Sequence, residues 1–216
     1  CKRRRRIAKK WKQNRITKFG EAVTCDHVYM RDWLGIKGVG GHTDAFNVLD
    51  IGTNVKYSFP TDAKDTLDTF TSLNAVRGRQ KIKHCYSDNY GSLKKAIKIL
   101  GIQHELCQPG VHKNNAIIER CNQDILWGTR VALLQAGMPA CYWPYANQHY
   151  CMIENITEVE YVQDDGSVGH VSPWFRRHDE HFKGLAIPFG CGVWFLPAPT
   201  KYTNSKAAPS RSYGIF

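Results

Sequence analysis

The chain has 216 residues and a mass of 24.6 kDa, enough for one domain of about 150 residues with an appendage but not for two full domains. Hydrophobic residues make up 42% and aromatics 12%, which supplies a real core and excludes wholesale disorder. The formal net charge is +11 and unevenly spread: residues 1–20 hold ten basic residues and no acid, leaving twenty basic against nineteen acidic residues over 21–216. No apolar run approaches the ~18–20 residues that span a bilayer, and the basic N-terminus has no apolar segment behind it, so it does not read as a secretory signal. Eight cysteines are scattered without a C-x-x-C pair and read as reduced, mostly buried thiols of an intracellular protein. A chain that starts at Cys1 and stops at Phe216 reads as a fragment of something longer.

In chain order, residues 1–18 form a basic, solvated segment. Glu21–Met30 looks like a strand buried on both faces with one acid, Asp26, inside it. Glycines at 35, 38, 40 and 41 mark a turn or hairpin loop. Ala45–Ile51 and Asn54–Phe59 are β-rich runs joined as a hairpin, with Pro60 ending the second. Ala63, Leu67, Phe70 and Leu73 then follow helical periodicity, with Asp62 as the expected N-cap and Gly78 as the stop. Lys81–Tyr86 is a strand that runs into Ser87-Asp88-Asn89. Leu93, Ala96, Ile97 and Leu100 line a helix with Lys94, Lys95 and Lys98 outside and Gly101 at its end. Ile102–Cys107 is a short strand. A long helix is expected from about Asn114 to Ala136, with Ile118, Cys121, Ile125 and Ala132 as its inner stripe, and a further helix over 140–156. The last sixty residues carry loop composition and one strand-like run, Leu185–Leu196.

The order β-β-β-α-β-α-β-α-α followed by an irregular tail predicts an α/β, ribonuclease-H-like fold: a five-stranded mixed sheet flanked by helices, with a small irregular or β C-terminal extension. The expected organisation is a basic arm over 1–18, a core over 19–157 and an extension over 158–216.

Three acids stand where acids are costly. Asp26 lies in the most apolar strand, Asp88 at the end of the second central strand, and Glu119 beside Ile118 and Cys121 on the inner stripe of the long helix. In the expected fold these strands are neighbours and the helix packs across them. At roughly 4 Å and an effective dielectric near 20, each carboxylate pair repels by about 4 kcal/mol, which protonation or a divalent cation must relieve. Oxygen-only ligands select Mg²⁺ or Mn²⁺ over Zn²⁺, and two such ions suit in-line phosphoryl displacement. Beside a basic arm, that points to nucleic-acid phosphodiester chemistry. Asp50 also ends a β-run and reads only as a turn former.

Val23-Thr24-Cys25-Asp26-His27, Tyr86-Ser87-Asp88-Asn89 and Asn115-Ala116-Ile117-Ile118-Glu119-Arg120 resemble the D, D, E motifs of integrases from copia-type LTR retrotransposons, whose integrase is part of a Pol polyprotein. Leu133-Leu134-Gln135-Ala136-Gly137-Met138-Pro139 with Tyr142-Trp143, Ser172-Pro173-Trp174, and Ile187-Pro188-Phe189-Gly190-Cys191 resemble further landmarks of the family, in the same order. The chain departs from the family at Tyr90, where Gly is usual, at Ser92-Leu93, Ala116 and Gln123. The resemblance implies a nuclear polynucleotidyl transferase, carried in a cytoplasmic particle before entry and acting as a homo-oligomer on DNA. Asp26, Asp88 and Glu119 would bind two Mg²⁺ (or Mn²⁺). Water would trim the element's DNA ends, and the 3′-hydroxyl would then attack target DNA. Asn89, Asn115 and Arg120 would lie against DNA. Cys1 would be the last ligand of an upstream Zn²⁺ module, which one cysteine cannot make by itself.

The arm has three readings: a DNA-backbone contact through Arg3, Arg4, Arg5, Arg6, Lys9, Lys10 and Lys12, a nuclear localisation signal, or a solvated linker. His27 and His112 could lie near the site, whereas Trp143, Tyr145 and Tyr150 are expected in the core. Two alternatives compete with the integrase: a catalytically decayed, DNA-binding remnant of such an element, and a ribonuclease H-type nuclease. For the latter, Asp164-Asp165 is the one loose candidate for a fourth acid.

Overall fold

The structure, a computed structural model, describes residues 16–30, 35–106, 116–162, 167–197 and 211–216. Cys1, the arm's Arg3–Arg6, Lys9, Lys10 and Lys12, and Cys107, His112, Asn115 and Asp164-Asp165 lie outside the described residues.

Five strands form one mixed sheet in the order β3-β2-β1-β4-β5. They are β1 Ala22–Tyr29, β2 Asp44–Asp50, β3 Lys56–Thr61, β4 His84–Ser87 and β5 Gln103–Leu106. The first three pair antiparallel, while β4 pairs parallel to both β1 and β5. Such parallel pairs need crossover connections, here the helices α1 Thr66–Arg77 and α2 Gly91–Ile99. Side-chain alternation along β1 and β2 sends Val23, Cys25, Phe46 and Val48 to one face, where they bury Leu73 and Val76 of α1 and Leu93 and Ile97 of α2. The other face carries Ala45, Asn47 and Leu49. It is covered by α3 Ala116–Ala136 and α4 Trp143–Ile156 through Ile118, Cys121, Ile125, Cys151, Leu133, Trp143 and Ala146. The result is a three-layer α/β core with β1 at the centre of its sheet, compatible with the ribonuclease-H-like expectation.

Several local expectations are corrected. Helix α1 begins at Thr66, and its N-cap is Asp65, whose carboxylate accepts from Asp68 N at 2.7 Å. Asp62 instead pairs with His42 Nδ1 at 2.7 Å. The buried stripe of α1 is Thr69, Ser72, Leu73 and Val76, while Leu67 is 70% exposed. Two small hydroxyl residues take core positions there, so a reading by apolar letters lands on the wrong face. Pro60 does not end its strand but sits within β3 opposite Ala45. Since β3 is an edge strand and Thr61 turns its carbonyl to Thr43 N, the missing N–H of Pro60 falls on the open side, where it breaks no ladder bond.

The long helix ends as expected: Gly137 has φ +63°, and Met138 N donates to Leu133 O at 3.0 Å. A 3-10 turn, Ala140–Tyr142, then leads into α4. Trp143 is buried and Tyr150 half-buried, whereas Tyr145 is exposed. Helices α3 and α4 approach so closely at Gly128 that a Cβ there would run into the Tyr150 ring.

The C-terminal extension has more regular structure than its loop composition predicts. It holds the hairpin β6 Val159–Val162 and β7 Val168–Val171, the short helix α5 Pro173–His178, and the ribbon β8 Gly192–Phe195 with β9 Ser212–Ile215. Ser172 caps α5 by accepting from Phe175 N at 3.1 Å. Arg177 of this helix donates to Val76 O at 2.7 Å and to the Tyr57 hydroxyl, and it lies 3.9 Å over the Phe19 ring. Arg176 donates to the Gly52 and Thr53 carbonyls. Two arginines thus tie the extension to the core.

Candidate active site

The parallel register of β1 and β4 pairs Cys25 with Ser87. One step further, the next residues are Asp26, inside β1, and Asp88, just past the end of β4, which places the two acids side by side, about 5 Å apart between backbones. Asp26 leaves the sheet on the α3 face, which is also the face of Asn47, its partner on β2. Asp26 is half-buried, while Asp88 and the following Asn89 and Tyr90 form an exposed rim.

Burial, and then the charge of Asp88, push the Asp26 carboxyl above the usual carboxylate range. Three groups pull the other way. His27 N donates to Asp26 Oδ1 at 2.8 Å, Asn122 Nδ2 donates to Oδ2 at 2.9 Å, and Lys64 contributes its charge. Asn122 also accepts from Asn47 Nδ2 at 2.9 Å, so a chain Asn47–Asn122–Asp26 runs from β2 through α3 to β1 and fixes the carboxylate.

Helix α3 is positioned by Ile118, Cys121 and Ile125, which are buried with Asn122 on one stripe. Glu119 is not part of that stripe, contrary to the expectation: it is exposed. Three residues turn a helix by about 300°, which leaves Glu119 about 60° from Asn122 and one turn before it. It therefore lies at the edge of the sheet-facing surface, near the end where Asp26 and Asp88 stand. Among the described residues, no three His, Cys, Asp or Glu side chains are close enough together to hold a metal ion. The elements carrying the three acids meet at one end of the sheet, and the aspartates are neighbours, but Glu119 is not closed onto them. In donor type the residues fit a hard divalent cation: oxygen ligands only, two of them already in mutual repulsion. Arg120 and Gln123 are exposed on the same helix.

His27 is next to Asp26 in sequence but points to the opposite face. Its Nε2 is 3.2 Å from Thr69 Oγ1 of α1, its ring packs 4.6 Å from Phe46, and burial lowers its pKa to about 4. Asp50 is a turn former, as read: it accepts from Thr53 N and Gly20 N, both at 2.8 Å. A second ionic cluster, Lys56 with Asp124 at 2.5 Å and Glu154 at 3.3 Å, joins β3 to α3 and α4. It lies under Tyr150, and its single lysine is held between both carboxylates, which suits a structural tie.

Residue-by-residue reading missed Asn122, Asn47 and Lys64. The one signal for Asn122 was a polar residue inside the apolar stripe Cys121–Ile125, one turn after Glu119. A cleft of about 870 Å³ lies elsewhere, lined by Trp127, Val131, Tyr150 and Phe189. Asp88 sits instead on an open rim.

No family model matches the chain. It is 34% identical over 129 residues to the retrovirus-related Pol polyprotein from transposon RE2 of Arabidopsis thaliana, over 56% of this chain and 9% of that protein. It is 33% identical over 89 residues to the corresponding polyprotein from transposon RE1 of the same plant, over 40% of this chain and 6% of that protein. The matches thus span less than a tenth of the length of these curated relatives. The similarity supports a piece of a retroelement Pol polyprotein.

Proposed function

We propose that this chain is the catalytic core of a retrotransposon integrase, a polynucleotidyl transferase that trims the element's DNA ends and joins them to target DNA. The observation that carries the reading is the β1/β4 register, which sets the half-buried Asp26 of β1 beside Asp88 at the exposed end of β4, with the Asp26 carboxyl raised above its usual pKa. Asp26, Asp88 and Glu119 would hold Mg²⁺ or Mn²⁺, which supplies charge neutralisation at the attacking and leaving oxygens of an in-line displacement.

The chain's own residues do the positioning. Asn122 and the His27 amide orient the Asp26 carboxylate. The exposed rim of Asn89 and Tyr90 leaves room for a phosphodiester strand. Asn89, Asn115, Arg120 and the arm residues Arg3, Arg4, Arg5, Arg6, Lys9, Lys10 and Lys12 would contact DNA. The proposed setting is a homo-oligomer on DNA in the nucleus, with the Zn²⁺ module supplied by the intact upstream sequence.

The test is strand transfer with Mg²⁺, using an oligonucleotide ending in the element's terminus. We expect joined product that Asp88→Asn lowers by at least about 10³-fold, in line with loss of an essential metal-binding acid. Product that persists in Asp88→Asn would overturn the reading. DNA binding without joined product would favour the decayed remnant, the reading that the open position of Glu119 favours.

A further inference from the structure

The extension ends in a two-stranded ribbon whose surface chemistry the acid site does not use. Register pairs Trp194 with Tyr213 and Gly192 with Ile215, so these four side-chain positions share one face of the ribbon. Trp194 is 67% and Tyr213 62% exposed, yet the two rings are not splayed. They meet edge to face with centroids 5.3 Å apart and an interplanar angle of 64°. Gly192 makes the arrangement possible, because a Cβ there would run into the Tyr213 hydroxyl. The ring lies along bare backbone instead of standing off it.

The root of the ribbon is fixed to the core. Gly190 N donates to Phe216 O at 2.7 Å, Phe216 N donates to Cys191 O at 2.9 Å, and the Phe216 ring packs 5.8 Å from His149 of α4. The aromatic pair is thus an outward platform on an anchored stem. An apolar face of this kind does not by itself name a partner, but its charge setting does. From Gly184 to Phe216 the sequence contains no acid and three cations, Lys201, Lys206 and Arg211, while Lys183 is paired with Glu180. Arg211 is exposed and immediately precedes β9. A face for a second apolar protein has no use for a stretch cleared of acids, whereas a polyanion with flat apolar groups needs both features. Single-stranded nucleic acid meets that description: its bases stack on exposed aromatic rings and its phosphates pair with flanking cations. A duplex keeps its base faces stacked away from such rings and presents mainly phosphates and groove edges.

We propose that the β8–β9 ribbon is a binding site for single-stranded nucleic acid, with Trp194 and Tyr213 stacking unpaired bases and Arg211 meeting the adjoining phosphate. This goes beyond the acid site and needs no catalysis.

Fluorescein-labelled dT15 and a blunt duplex of the same length are titrated with the whole chain in EDTA, at low salt and again near 0.3 M salt, where phosphate contacts are weakened. At the higher salt, Trp194→Ala/Tyr213→Ala is expected to weaken dT15 binding about tenfold while changing duplex binding less than twofold. Trp194→Phe/Tyr213→Phe should retain most of the affinity, and far-ultraviolet circular dichroism should be unchanged in both. Unchanged dT15 affinity in the folded alanine variant would overturn the assignment. So would a shift from dimer to monomer in sedimentation with dT15 affinity intact, since the face would then belong to a second copy of the chain. Because the readout is equilibrium binding without metal, failure of strand transfer leaves this test standing, and the reverse also holds.

Discussion

Asp26 shows what a single residue can report. Its carboxyl is raised by burial and by Asp88, so the native state holds its proton more tightly than the unfolded chain does. The protonated form of Asp26 is therefore the one that folding favours. That stability is present below the unfolded carboxylate range, near pH 4, and is lost as pH rises through the raised native value. Asp88→Asn removes the repulsion but not the burial. In EDTA the variant should be more stable than the parent by about 0.5–1 kcal/mol at pH 7, a figure limited by the exposure of Asp88, and should show no gain near pH 3. Urea unfolding at the two pH values measures this, and an equal difference at both would refute the coupling. The neighbouring His27, by contrast, is silenced by packing against Phe46 and Thr69. Adjacency in sequence put it beside Asp26, whereas strand alternation put it on the other side of the sheet.

At the scale of elements, the α3–α4 pair holds the second layer of the core in place above the acids. Gly128 looks like a weak point by helix propensity, where alanine would be favoured by about 1 kcal/mol. The close approach of Tyr150 reverses that: Gly128→Ala forces the ring or the helices apart and should destabilise by about 1–3 kcal/mol net. Thermal unfolding checks it, and a raised midpoint would show that the helices are not in contact there. The same pair contains Asn155, whose amide bonds Lys56 N and O at 2.9 and 2.8 Å. Asn155, the first residue of an Asn155-Ile156-Thr157 glycosylation sequon, is therefore a buried strand-to-helix tie. Element types were largely legible because period-2 and period-3.6 patterns carry over into packing, as in α2, where the expected Leu93, Ala96 and Ile97 are the buried residues. The failures have a common cause. Core positions filled by Thr69, Ser72, Asn122 or Thr129 carry no apolar signal, and short amphipathic strands such as β6 and β7 are stabilised by each other rather than by any local pattern.

For the whole molecule, the +11 charge divides into a near-neutral body and a basic N-terminal arm. Under the proposed function, a near-neutral body with an acid pair repels a polyanion locally, so charge attraction would come from the arm, from Arg211 of the ribbon and from cations that the acids would hold. Replacing Arg3, Arg4, Arg5 and Arg6 with Ala should flatten the dependence of log affinity on log salt for duplex DNA by up to about 3–4, near 0.9 for each phosphate no longer neutralised. An unchanged slope in anisotropy titrations would make the arm a linker. Arg176 and Arg177, also cationic, cannot take this role, because they are held by the Gly52, Thr53 and Val76 carbonyls.

The sequence by itself determined the order of elements through α4, the charge division and the acid Asp26 inside an apolar strand, because these depend on composition and local periodicity. It could not decide which acids meet. That Asp26 stands beside Asp88 follows from a parallel register between residues about sixty positions apart, set by how β1 and β4 share the core beneath α1 and α2. Glu119 is exposed at the stripe's edge, and Asn122 is the helix residue that reaches Asp26. Both follow from the rotation of α3 about its axis, which the packing of Ile118, Cys121 and Ile125 against the sheet imposes. A shift of one residue in register or some 100° in rotation would leave every local pattern intact and dismantle the site.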